Sequence, residues 1–129
     1  LRNARINFRQ LEQTHSMENI IFNELKLRGF NVDIGIIKQR VKDKNNQNIR
    51  QRLEVNFVAN KGSNKIYIQS AFSIPNLEKE QQEQKPLIKI NDSFKKVIIT
   101  SGFVSKYYNE QGILIMNIYD FLLDPNSLN

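Results

Sequence analysis

The sequence contains no cysteine, no tryptophan and a single histidine. Without cysteine there can be no disulfide and no thiolate metal site, and one histidine excludes a multi-histidine zinc centre. Such a composition is what we expect of a cytoplasmic protein. No apolar run approaches the roughly 20 residues that span a bilayer, so no membrane partner is expected. Leu1 heads a basic, polar segment rather than a charged stub followed by an apolar stretch, and we expect no secretory signal. The chain also opens without methionine, which we take as the mark of a piece of a longer protein.

What is present suits a folded domain. The chain has 129 residues, 40% of them hydrophobic, which is enough for one domain around one core. Its formal net charge of +6 makes nucleic acid a candidate partner. The positive charge is unevenly spread. Arg2, Arg5 and Arg9 stand near the start, and Lys38, Arg40, Lys42, Lys44, Arg50 and Arg52 crowd into KQRVKDKNNQNIRQR around a lone Asp43. Rich in Asn and Gln, this segment reads as a long solvated connection between strands, or as an arm that contacts phosphates.

Residues 1–13 read as an arm or short helix on the domain edge, continuing from a missing N-terminal part. Thr14 and Ser16 are both suitable N-caps for a helix through SMENIIFNELKLRG, with Gly29 as its stop. Met17, Ile20, Ile21, Phe22, Leu25 and Leu27 fill one arc of that helix, against Asn19, Asn23 and Lys26. Two glutamates fall inside the apolar arc. Glu24 has Arg28 four residues on, in the favoured order for an ion pair. Glu18 has Phe22 there instead, so it is either a first-turn acid favoured by the helix dipole or a ligand for something. His15 precedes the helix and could cap it; with no acid or nucleophile at a known spacing, we expect no catalysis from it.

Alternation in FNVDIGI predicts a half-buried strand. After the basic segment, LEVNFVA and KIYIQSAF predict two more strands around a turn at Gly62. Residues 76–91 begin as a charged, solvated helix that Pro86 should end or bend. KKVIIT suits a buried strand, and GILIMNIYDFLL a last strand running into a short helix. Tyr107 and Tyr108 could stack on bases or sit half-buried in a loop. The predicted order is helix, three strands, helix, strand, strand, helix. That is a single α/β domain over 14–124, with a C-terminal tail at 125–129.

The hairpin at 53–72 carries Glu54 and Asn56, then Gln69, on one expected face. Two strands with carboxylates at that spacing would suggest a metal-dependent nuclease, but two of the three positions are amides. The element order, with acids on the first helix and second strand, is similar to the PD-(D/E)XK fold. LRNARINFRQ, HSMENIIFNELKLRGFNVDIG, LEVNFVANKG, KIYIQSAF and FKKVIIT together resemble the C-terminal domain of a large bacterial and archaeal family of AAA-type ATP-binding proteins. That domain is one of unknown function, with a restriction-endonuclease-like fold in which helices flank a central mixed sheet. The resemblance runs from residue 1 to about 124. It implies a parent chain with a P-loop ATPase and a winged-helix region ahead of this segment. No G-x-x-x-x-G-K-[ST] occurs here, so ATP is expected only in that missing part.

The resemblance also implies positions for the nuclease ligands. Glu18 matches the helix glutamate, Asn56 the strand aspartate, and Gln69-Ser70-Ala71 the E-x-K, with Glu54 as a further possible ligand. Ala71 cannot do the work of the lysine, though Lys61, Lys65 or Lys89 could arrive from elsewhere. Neutral amides coordinate magnesium poorly. The expected function is therefore a non-catalytic accessory module that binds DNA or a protein partner, with no catalytic residue, metal or cofactor of its own. The alternative is a Mg2+-dependent nuclease with an altered site, its metal on Glu18 and Glu54. Lys38, Arg40, Lys42, Lys44, Arg50 and Arg52 are the candidate nucleic-acid contacts.

Overall fold

Helix α1 (Arg2–Leu27) is unbroken across the expected boundary at residue 13. The computed structural model describes the backbone of residues 2–129 and the side chains from residue 11 onward. How residues 1–10 pack, and where Arg2, Arg5 and Arg9 point, lies outside the described residues. Thr14 and Ser16 are not N-caps, since both sit mid-helix, as does the exposed His15. The C-terminal stop is as expected. Gly29 takes φ +88°, its N–H meets the Lys26 carbonyl, and the Phe30 N–H meets the Leu25 carbonyl. Phe30 then packs in the same cluster as Leu25, the hydrophobic contact that accompanies this cap.

The buried stripe of α1 is narrower than its sequence implies. Met17, Ile21 and Leu25 are buried at i, i+4 spacing, whereas Ile20, Phe22 and Leu27 are exposed. One helix lying across a twisted sheet buries a single ridge, so the flanks of a wide apolar arc stay in solvent.

Six strands form one mixed sheet in the order β1-β2-β3-β4-β6-β5. They are β1 (Asn31–Lys42), β2 (Asn48–Lys61), β3 (Asn64–Ala71), β4 (Lys95–Thr100), β5 (Tyr107–Tyr108) and β6 (Leu114–Asn117). The first three are an antiparallel meander; β3, β4 and β6 are mutually parallel, and β5 returns antiparallel on β6. Helix α2 (Leu77–Ile88) crosses from β3 to β4, and α3 (Ile118–Leu123) follows β6. The α2 chain passes through Pro86 and ends two residues later; Asn76 caps its start by accepting the Lys79 N–H. On one face of the sheet, α1 and α3 cover Phe57, Ile66, Ile68, Val97, Ile99 and Met116. On the other, Leu87 of α2 packs with Val55, Ala71, Ile98 and Ile115.

Three departures from the expected organisation have plain physical causes. The basic segment is not a loop. Strand β1 runs on to Lys42 and β2 starts at Asn48, because alternating side chains continue through both and a five-residue turn suffices. In that turn Asp43 accepts the N–H groups of Asn45 and Gln47 on its carboxylate, and Asn46 takes φ 60°. Tyr107 and Tyr108 form the short β5 at the far edge, with Tyr107 Oη donating to Glu80. Residues 125–129 are no loose tail, since Ser127 and Leu128 are 3% and 4% exposed. Arg28 fastens them, donating to Ser127 Oγ and to the carbonyls of Phe121 and Asp124 while paired with Glu24 and lying 4.6 Å over the Phe121 ring.

A second network fastens the loop before β4. Tyr67 Oη donates to Asp92 Oδ2 at 2.6 Å, and Lys96 Nζ reaches Asp92 Oδ1 at 3.2 Å. Loss of water around the phenol, then the adjoining carboxylate, pushes Tyr67 up to about 12. Burial works to raise Asp92, but the hydrogen bonds from Tyr67, the Phe94 N–H and Lys96, with the Lys96 charge, outweigh it and hold the carboxyl below its ordinary value.

Candidate functional site

The expected site lies where the β1–β2 ladder changes register. Asp33 stands opposite Val58, yet Gly35 stands opposite Val55, so β2 carries one extra residue between. Such a bulge turns alternating side chains to the opposite faces. Val55 accordingly packs under α2 while Phe57, two residues on, packs under α1. Gly35 permits this close approach. A Cβ there would come within 2.9 Å of Val58 Cγ2 and 3.2 Å of Val55 Cβ.

Asn56 sits in the bulge without a ladder partner, and its N–H is held by a side chain. Gln69 Oε1 accepts the Asn56 N–H at 2.9 Å, and Asn56 Oδ1 accepts the Ser70 N–H at 2.9 Å. The two residues that replace expected acids are thus a reciprocal splint across β2 and β3. Ser70 Oγ beside them is buried and has no hydrogen-bond partner among the described residues.

The bulge also separates the positions that the resemblance groups together. Glu54 pairs with Ile36, on the face away from Ile37, Val55 and the α2 cluster. Ala71 belongs to that α2 cluster and is 3% exposed, and Gln69 shares its parity on β3. Glu18 rises from α1, on the opposite face. Glu54, Asn56 and Gln69 therefore do not share one face, contrary to the sequence expectation, because a one-residue register shift intervenes.

Glu18 and Glu54 do meet a common cleft of about 650 Å³, bordered also by Asn19, Phe22, Val32, Asp33, Ile34, Asn56 and Phe57. In the sequence Asp33 is one polar position of an alternating strand, and only the pairing register brings it beside the bulge. Among the described residues no three Asp, Glu or His side chains converge as a metal-binding group. Asn56 Oδ1 and Gln69 Oε1 each already accept a main-chain N–H group, which leaves Glu18, Asp33 and Glu54 as the carboxylates that border the cleft. Among the described residues no lysine lines the cleft. Lys61 donates to the Arg28 carbonyl and Lys65 lies over the Phe94 ring, both along a different cleft, while Lys89 is the C-cap of α2.

From this cleft the β1–β2 ribbon extends past β3, whose pairing with β2 stops at Phe57. Its register places Lys38 opposite Arg52, Arg40 opposite Arg50 and Lys42 opposite Asn48. Directly opposed residues share a face, so five cations line one side of the ribbon, the side that also carries Glu54. All five are exposed, and among the described residues none is in an ion pair. Lys44 lies in the turn at the tip. The reverse side carries Ile37, Val41, Ile49 and Leu53, with Gln39 bonded to Gln51 at 2.7 Å. The structure thereby gathers the residues that looked like a basic loop into one ordered cationic surface.

No family model and no solved structure matches the chain. It is similar to a Haemophilus influenzae protein described as uncharacterized, at 32% identity over 126 residues. The match takes in 95% of this chain and 26% of that protein, so the chain spans about a quarter of the length of the relative.

Proposed function

We propose that this chain is a nuclease-like module without nuclease chemistry, which binds DNA through the cationic face of the β1–β2 ribbon. In this reading it serves as the C-terminal accessory domain of an AAA-type ATP-binding protein, and ATP belongs to the rest of that protein. The order helix, antiparallel three-strand meander, crossover helix, parallel strand agrees with the PD-(D/E)XK likeness. Splinting by Asn56 and Gln69 and burial of Ala71, the position of the nuclease lysine, count against catalysis.

One observation carries the binding reading: Lys38 and Arg52, and Arg40 and Arg50, stand directly opposite each other on an exposed face. Like charges so placed destabilise a ribbon, whereas a polyanion laid over them reverses the sign of the interaction. The test is DNA affinity against salt, for the wild type and a variant with Lys38, Arg40, Arg50 and Arg52 changed to alanine. We expect the variant to bind much more weakly and with a shallower salt slope. An unchanged slope and affinity would remove the ribbon as the contact surface.

The second reading, a divalent-metal-dependent nuclease, draws on Glu18, Asp33 and Glu54 bordering one cleft. Incubating DNA with the protein and Mg2+ or Mn2+ decides it. Cleavage that is abolished by Glu54→Ala would establish this reading and overturn the non-catalytic one.

A further inference from the structure

Resting on the reading that the ribbon binds DNA, we infer that it lies in the major groove of B-form duplex DNA, with Lys38, Arg40, Lys42, Arg50 and Arg52 facing the groove. Three features of the arm select this occupant over other nucleic acids.

The first is shape. From the Ile36–Glu54 pair to the Lys42–Asn48 pair the arm is two strands and seven residues a side, unaccompanied by β3. At about 3.3 Å per residue it is about 20 Å long, and its strands lie about 4.8 Å apart. A two-stranded ribbon of that width enters the B-form major groove, about 12 Å wide. It does not enter the deep, narrow major groove of an A-form RNA duplex.

The second is what the arm lacks. Between Ile36 and Glu54 there is no Phe, Tyr or Trp. Proteins that hold single strands pair their cations with aromatic platforms on which unstacked bases lie. The exposed Tyr107 and Tyr108 offer no substitute, since they form the opposite edge of the six-stranded sheet. A cationic surface without stackers is matched to paired bases, which are already stacked.

The third is the sign of the charge. A free ribbon needs charged side chains to deter edge-to-edge aggregation. Mixed signs would serve that purpose and would also attract across the strands, so edge protection leaves five cations on the outer part of that face unexplained. Arg and Lys are moreover the side chains that reach guanine O6 and N7, and Asn48, opposite Lys42, is of the type that reads adenine. Deeper on the same face, Glu54 would repel phosphate, so the duplex is engaged by the outer part of the arm.

The test uses the chain as it stands and three labelled probes of one sequence: a 20-base-pair DNA duplex, the matching RNA duplex, and the single DNA strand. We expect the DNA duplex to bind at least tenfold more tightly than either other probe, and a major-groove ligand such as methyl green to compete while a minor-groove ligand such as netropsin does not. Arg40→Ala with Arg50→Ala should cost the DNA duplex tenfold or more in affinity. Both positions are exposed, and a circular-dichroism melt confirms that the variant is folded. Equal affinity for the two duplexes, tighter single-strand binding, or displacement by netropsin alone would each overturn the groove assignment while leaving DNA binding by the ribbon intact. Failure to bind any of the three probes would overturn the functional reading itself.

Discussion

Gln69 Oε1 accepts the main-chain N–H of Asn56 across a gap that the β2–β3 ladder leaves open. Asn56 Oδ1 in turn accepts the Ser70 N–H. Shortening Gln69 to alanine leaves a part-buried N–H with no acceptor, which costs about 1–3 kcal/mol. Asn56→Asp keeps an acceptor oxygen for Ser70 and should stay within about 1 kcal/mol of wild type. Urea unfolding of the two variants measures both. A Gln69→Ala midpoint equal to wild type would show that the splint contributes nothing to stability.

The same geometry limits how far the nuclease pattern can be rebuilt. The triple change Asn56→Asp, Gln69→Glu, Ala71→Lys restores the pattern in sequence, but position 71 packs among Val55, Leu87 and Ile98. A lysine there is either neutral or unpaired in an apolar cluster under α2, and Glu18 remains on the other side of the sheet. We expect Ala71→Lys alone to destabilise the fold by several kcal/mol. We further expect no Mg2+-dependent cleavage from any soluble triple variant. Cleavage by it would mean that the register shift does not keep these positions apart.

This split explains what the sequence could and could not disclose. The helix ending at Gly29, the Glu24–Arg28 pair and the alternation in β2 and β3 are local patterns, and each is where the residues imply. The bulge at Asn56 is not local. It shows only in the pairing of Asp33 with Val58 and Gly35 with Val55, and a single extra residue reverses every later face. The basic ribbon was hidden for a different reason. Its Asn, Gln, Lys and Arg residues have weak strand propensity, so composition outweighed an alternation that the cross-strand partners made decisive. Glu18 and Glu54 were identifiable as a pair, whereas Asp33 needed the fold to join them.

Tyr67 and Asp92 give a stability signature in alkali. The folded pKa of Tyr67 is raised from 10.0 to about 12, so it is the protonated phenol that folding favours. Its contribution is then complete below about pH 10 and is lost as pH rises through about 12. Tyr67→Phe removes this ionisation along with the hydrogen bond to Asp92. The stability difference between wild type and Tyr67→Phe should therefore be constant below pH 10 and shrink toward pH 12, as measured by denaturant unfolding across that range. A difference independent of pH would show that the phenol ionises alike in the folded and unfolded chains. For Asp92, held low in the fold, the sign is opposite: its contribution is present above the ordinary carboxylate range and falls away in acid.

Arg50→Glu separates the two explanations of the cationic ribbon most sharply. In the wild type Arg50 faces Arg40 directly, a like-charge pair on an exposed face. Replacing it with glutamate turns repulsion into attraction, and cross-strand opposite-charge pairs contribute about 0.2–1 kcal/mol. The arm should then gain stability, with the effect reduced at high salt because the pair is in solvent. DNA affinity should fall nonetheless, since the change removes one cation and places an anion beside the phosphates. Opposite movement of the melting temperature and the affinity is the expected result, measured on one preparation by thermal melting and fluorescence anisotropy. If the arm is stabilised and affinity holds, the face is not the binding surface, and its single sign would need an origin other than DNA.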